Sequence, residues 1–198
     1  MATKKSHPPL VKRTLLIVLL LNLAYFMVEF GFAFTAQSVA LFADSIDFLE
    51  DTALNFLILI SLGASLIVRH RVSKILAIMM LIPSLSGAWM AISKILDPVP
   101  PEAGWMTAVG VGALAVNFTC ATMIARLNRD RSGLVVAAFF AARNDALANL
   151  GIIVAGVITI FWASALPDVV VGLVIMALNA DSAYKIWTSS KKENKLAL

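Results

Sequence analysis

The stretch from Ser38 to Ile67 is an apolar run long enough to cross a bilayer, yet its first half carries four carboxylates, Asp44, Asp47, Glu50 and Asp51. A membrane helix needs roughly 20 apolar residues, and one charge at its centre costs at least about 2.5–3.5 kcal/mol on insertion scales. Four acids in one span are therefore tolerable only on a face turned to protein or water. At about 100° per residue, Asp44, Asp47, Asp51 and Asn55 fall within a stripe roughly 80° wide, with Glu50 just beside it. Any fold for this chain must cover that oxygen-rich ladder.

The rest of the chain has the same apolar character. Of its 198 residues, 60% are hydrophobic and 14% charged, which points to an all-α polytopic membrane protein with no room for a sizeable soluble domain. Six transmembrane helices are expected: about Thr14 to Thr35, Ser38 to Ile67, Val72 to Leu96, Trp105 to Leu127, Leu134 to Ala163 and Leu166 to Trp187. They form one transmembrane domain, 14–187, between an N-terminal tail, 1–13, and a basic tail, 188–198. No small-residue cleavage site follows the first apolar run, so that run is expected to stay as a helix. Pro83 and Gly87 interrupt the third span and predict a kink. The proline-rich turn from Asp97 to Glu102 has to lie outside the lipid.

The basic residues set the orientation. In a six-span arrangement Lys4, Lys5, Lys12, Arg13, Arg69, Arg71, Lys74, Arg126, Arg129, Arg131, Lys185, Lys191, Lys192 and Lys195 all fall on one side with both termini. Only Lys94 falls at the opposite surface, and Arg143 lies within a span. Positive residues stay inside, so both termini are expected in the cytoplasm of a multi-pass plasma (inner) membrane protein. The formal net charge of +4 reflects this topology, and no nucleic-acid partner is indicated. Trp105 and Trp162 at the outer ends, and Trp187 at the inner, suit interfacial belts.

Polar residues recur inside other spans. Asn22 and Glu29, seven residues apart, lie nearly on one face of the first, and Asn117 lies within the fourth. The fifth carries Arg143, Asn144, Asp145 and Asn149, with Asp145 and Asn149 one turn apart. If this face meets the ladder of the second span, Asp47, Asp51 and Asp145 converge. Clustered carboxylates repel one another unless a cation or protons hold them together, and hard oxygen ligands suit a divalent metal. Asp44, Glu50, Asn149, Asn144, Asn55, Glu29 and Asn22 are further metal or proton-relay candidates, and Arg143 is a structural counter-ion for a nearby acid. His7 and His70 are read as surface residues, and Cys120, the single cysteine, as a packed core residue. No nucleotide loop, nucleophilic triad or cysteine zinc cluster is present, so the chain is not read as an enzyme.

The segment from Ser38 to Asp51 resembles the second-helix signature of the cation diffusion facilitator (CDF) family, in which a His or Asp is followed four residues later by an Asp. Asp47 and Asp51 match those ligand positions, and Asp145 matches the Asp of the family's fifth-helix His-x-x-x-Asp. Asn22, Glu29, Asn117 and Pro167-Asp168 are also similar to family features. The resemblance covers about residues 14 to 187 and implies a CDF-like bundle that exports a divalent metal (Zn, or Mn, Fe, Co or Cd) in exchange for protons. It also implies a homodimer joined through the third helix. The metal is cargo, and no prosthetic group is expected; the partners are metal ion, protons and lipid bilayer. Ala141 stands where the family's histidine would be. The chain ends soon after the sixth helix, like the short, membrane-only members without the cytoplasmic domain. The alternatives are a non-transporting membrane subunit or metal sensor, and a proton-coupled exporter of organic cations.

Overall fold

The computed structural model describes residues 8–61, 65–127 and 133–180, with only part of the side chains in the first half of α3 and at the start of α5. Six helices follow in order: α1 (Pro8–Thr35), α2 (Val39–Ser61), α3 (Leu66–Leu96), α4 (Ala103–Leu127), α5 (Gly133–Phe161) and α6 (Leu166–Ala180). The described residues contain no strand. Stretches of α1, α4 and α5 are long and apolar enough to cross a membrane. Helix α2 has the length, roughly 35 Å at 1.5 Å per residue, but its four carboxylates set it apart.

One boundary differs from the sequence reading. Helix α3 begins at Leu66 rather than Val72, so the Arg69-His70-Arg71 cluster forms its first turns. Arginine is a good helix former, and no Pro or Gly separates Leu66 from Val72. The helix also continues through Pro83 and Gly87 without a break. One proline removes a single ladder hydrogen bond, and nearby hydroxyls can re-satisfy a membrane helix. Ser86 Oγ bonds back to the Ile82 carbonyl at 3.0 Å in this region.

The turn between α1 and α2 sets how closely these helices pack. Ser38 N–H bonds to the Ala33 carbonyl (2.9 Å) and Gln37 N–H to that of Phe34 (3.2 Å), with Gln37 at φ 50°. This pairing closes α1 as a Schellman motif with its left-handed position filled by Gln. The Glu102 N–H reaches the Ala36 carbonyl at 2.9 Å, and Lys94 of α3 bonds to the Gln37 carbonyl and to Asp168 of α6. The turns after α1, α3 and α5 therefore meet at one end of the bundle. Successive helices alternate in direction, and among the described residues α4 packs against α1 and α5 rather than against α3.

The core lies at that same end. Phe42 and Phe48 are fully enclosed. Phe42 stacks on Phe30 and Phe34, with ring centroids 5.3 and 5.4 Å away, and Phe48 on Tyr25 at 5.0 Å. Ala33, Ala36, Ala40 and Ala43 admit close approach beside them, and Met106, Ile152 and Ile175 close the cluster from α4, α5 and α6. Helix α6 meets α2 backbone to backbone at Gly172, where a Cβ would sit 2.7–2.9 Å from Val39 Cγ1, Val39 C and Ala40 N. Gly172→Ala is therefore expected to lower stability by about 1–3 kcal/mol. Gly151→Ala, whose Cβ would meet only Val171 at an ordinary 3.5 Å, should match or exceed wild type because alanine is the better helix former. Thermal unfolding in detergent separates the two.

Candidate functional site

Helices α1, α2, α4 and α5 turn their polar residues toward one another, and the side chains form successive levels along the bundle. Helix α2 runs away from the α1–α2 turn while α1 runs toward it, so Glu29 is level with Asp44, and Asn22 lies deeper, with Asp51. On α1, Asn22, Tyr25 and Glu29 share a face by their 3- and 4-residue spacing.

Nearest the turn, Glu29 and Asp44 are both fully buried, and their carboxyl groups face each other within hydrogen-bonding reach. No N–H or O–H donor among the described residues reaches any of their four oxygens. Two carboxylates in such contact repel unless a proton or a cation lies between them. Tyr25 is within electrostatic reach of both, but its hydroxyl donates to the Val109 carbonyl at 2.6 Å.

At the middle level, Asp47 of α2 and Asp145 of α5 oppose each other, again carboxyl to carboxyl. Asp51, one turn along α2, is the electrostatic neighbour of both. Asn149 is fully buried and donates to the Asp145 carbonyl (2.7 Å), leaving its Oδ1 without a partner among the described residues. At the deepest level, Asn22 Nδ2 approaches Asp51 Oδ2 at 3.5 Å, and the Cys120 thiol donates to Asn22 Oδ1 at 3.6 Å.

The structure thus brings Asp44, Asp47, Asp51, Asp145, Glu29, Asn22 and Asn149 together in one column, with Asp44, Glu29, Asn22 and Asn149 buried and Asp47, Asp51 and Asp145 partly buried. Among the described residues, no three His, Cys, Asp or Glu side chains are spaced to hold a metal ion as they stand; the acids meet in pairs. Glu50 is buried beside Asp51. Asn55 is buried too, but its amide donates to the Asp51 carbonyl of its own helix at 2.8 Å. Asn144 is exposed and away from the column. The side chain of Arg143 lies outside the described residues, as does that of Ala141.

Two members of the column were not anticipated. Cys120 follows Asn117 by three residues, so both fall on the face of α4 that meets α1, and that spacing was the available signal. Tyr25 lies between Asn22 and Glu29 on the same face and could have been found the same way.

A model of the cation efflux transmembrane domain matches residues 15–193. Among curated proteins, the zinc transporter ZitB of Escherichia coli (strain K12) is 25% identical over an alignment 193 residues long that covers 91% of this chain and 62% of ZitB. ZitB of Shigella flexneri matches to the same extent. The chain spans 62% of the length of these curated relatives.

Proposed function

Because the chain belongs to the cation efflux transmembrane domain family, we propose that it carries a divalent metal ion out of the cytoplasm in exchange for protons, with Asp47, Asp51 and Asp145 binding the ion. The observation that carries this reading is the apposition of Asp47 and Asp145 across α2 and α5 with Asp51 beside them. Three partly buried acids within electrostatic reach of one another are an arrangement that a divalent cation, or protons in its place, would relieve. Competition between cation and protons for the same oxygens is the chemical basis of exchange.

Zn2+ is the first candidate, since both relatives are named zinc transporters. The oxygen-rich site would also accept Mn2+, Fe2+, Co2+ or Cd2+. Asp47 and Asp51 sit on α2 and Asp145 on α5, so a small shift of α5 against α2 would convert the Asp47–Asp145 pair into a three-carboxylate set. That motion suits alternating access around a fixed central site. Glu29 and Asp44 would serve as a proton or cation station between the site and the end where the turns meet. By the positive-inside pattern that end faces outward, with both termini in the cytoplasm. A homodimer would use α3, whose Ile82, Leu85, Trp89 and Leu96 are exposed.

The test is metal uptake into proteoliposomes under an imposed pH gradient, comparing Zn2+, Mn2+, Fe2+, Co2+ and Cd2+. Gradient-dependent uptake of one or more of these supports the exchanger. Metal binding without uptake would replace it with a sensor or non-transporting subunit, and movement of organic cations without response to metals would replace it with an organic-cation exporter.

A further inference from the structure

Outside the acid column, the most densely bonded polar group among the described residues is Asp168, at the start of α6. Its side chain is fully buried and takes four donors. Oδ1 accepts from Ser38 Oγ at 2.6 Å and Ala40 N–H at 3.0 Å, and Oδ2 accepts from Val39 N–H at 2.9 Å and Lys94 Nζ at 2.8 Å. Ser38 Oγ in turn accepts from Leu41 N–H at 3.1 Å. Helix α2 is thus capped by a carboxylate from another helix, at the end where its dipole favours negative charge. Lys94, 6% exposed, completes the knot by also donating to the carbonyl of the left-handed residue Gln37.

The cap is one end of a longer grip. Asp168, Gly172, Ile175 and Asn179 share one face of α6 by helical spacing. Gly172 lies against Val39 and Ala40, and Asn179 Nδ2 donates to the Ala43 carbonyl at 3.2 Å. That carbonyl is one turn before Asp47. Helix α6 therefore holds α2 at three heights, all within the segment that ends where the acid ladder begins.

We propose that Asp168 is a positioning residue for ion binding: by capping α2 from α6 it sets the depth and rotation of α2, and with them the alignment of Asp47 and Asp51 against Asn22 and Asp145. This role rests on the transport reading above. The ladder is about three turns long and rigid, so a slip or rotation at its capped end displaces every carboxylate together. Lys94 neutralises the cap but is not needed for it, because three of the four donors to Asp168 come from Ser38, Val39 and Ala40.

The experiment compares wild type, Asp168→Asn, Ser38→Ala and Lys94→Gln, measuring Zn2+ uptake kinetics in proteoliposomes and Zn2+ binding in detergent. In Asp168→Asn both KM and Kd for Zn2+ should rise by about tenfold or more, the effect typical of groups that orient metal ligands, while Vmax changes little. Ser38→Ala should shift both in the same direction by less, and Lys94→Gln should leave both unchanged. A fall in thermal midpoint for Asp168→Asn with KM and Kd unmoved would overturn the proposal. So would a loss in Lys94→Gln equal to that in Asp168→Asn. If Asp168→Asn does not fold, unchanged KM and Kd in Ser38→Ala overturn it. Wild-type protein that binds Zn2+ without moving it would refute the transport reading alone, and the Kd comparison would still decide the role of Asp168.

Discussion

Asp51→Asn is expected to yield a folded protein whose metal uptake falls to about a hundredth of wild type or less. The substitution keeps the size of the side chain and leaves an oxygen to meet Asn22 Nδ2, now 3.5 Å from Asp51 Oδ2, but it removes one negative charge from the column. Losing one member of a charged contact largely shielded from water costs about 2–5 kcal/mol, and each 1.4 kcal/mol is about tenfold in affinity. Folding should not suffer, because Asp51 sits beside Asp47, Glu50 and Asp145, and removing its charge removes repulsion as well as a ligand. Initial rates in proteoliposomes, with size-exclusion profiles as the check on folding, read both effects. Asn144→Ala is the matched control, since Asn144 is exposed, and should transport normally. Undiminished flux in Asp51→Asn would remove Asp51 from the site.

Glu29→Gln is expected to separate stability from function further, raising the first while lowering the second. The four oxygens of Glu29 and Asp44 have no N–H or O–H donor among the described residues. A glutamine at 29 would bring an amide N–H to Asp44 in nearly the same volume, replacing an opposed carboxyl pair with a hydrogen bond to a charged group. The net gain from such a bond is about 1.5–3 kcal/mol. At about 2–4 °C per kcal/mol for a chain of this size, the thermal midpoint should rise by several degrees. Uptake should fall, because the pair can then no longer pass a proton or cation between two carboxyls. Glu29→Ala should instead lower the midpoint, since it opens a cavity beside an acid still without a donor. An unchanged midpoint in Glu29→Gln would mean that the pair is already satisfied as it stands, and unchanged uptake would exclude the pair from the ion path.

These two variants also mark how far the sequence could be read. The six helices and the acid face of α2 followed from spacing, because a period of about 3.6 leaves few ways to shelter four carboxylates in an apolar run. Asp145 and Asn149 were legible for the same reason, and the structure places them against that face. One boundary was less legible: α3 starts early, through Arg69-His70-Arg71, because a charged cluster marks the edge of an apolar run without interrupting the helix. Asn144, a further candidate in sequence, is exposed, since a residue next to Asp145 in sequence points about 100° away from it on a helix.

What the sequence determined by itself was which residues are too polar for lipid and which of them share a face, since both follow from local chemistry and helical period. Which of those faces meet, and at what depth, was decided only by the tertiary structure. The pairing of Glu29 with Asp44 joins residues 15 positions apart. The link from Asn22 to Cys120 spans 98 positions and that from Asp168 to Ser38 spans 130. No local pattern encodes such separations. Lys94 and Asp168 illustrate the difference most directly. Neither reads in sequence as a helix cap, and only packing that buries both, against a backbone turn with free N–H groups, makes Asp168 the cap of the acid-bearing helix and Lys94 its counter-charge.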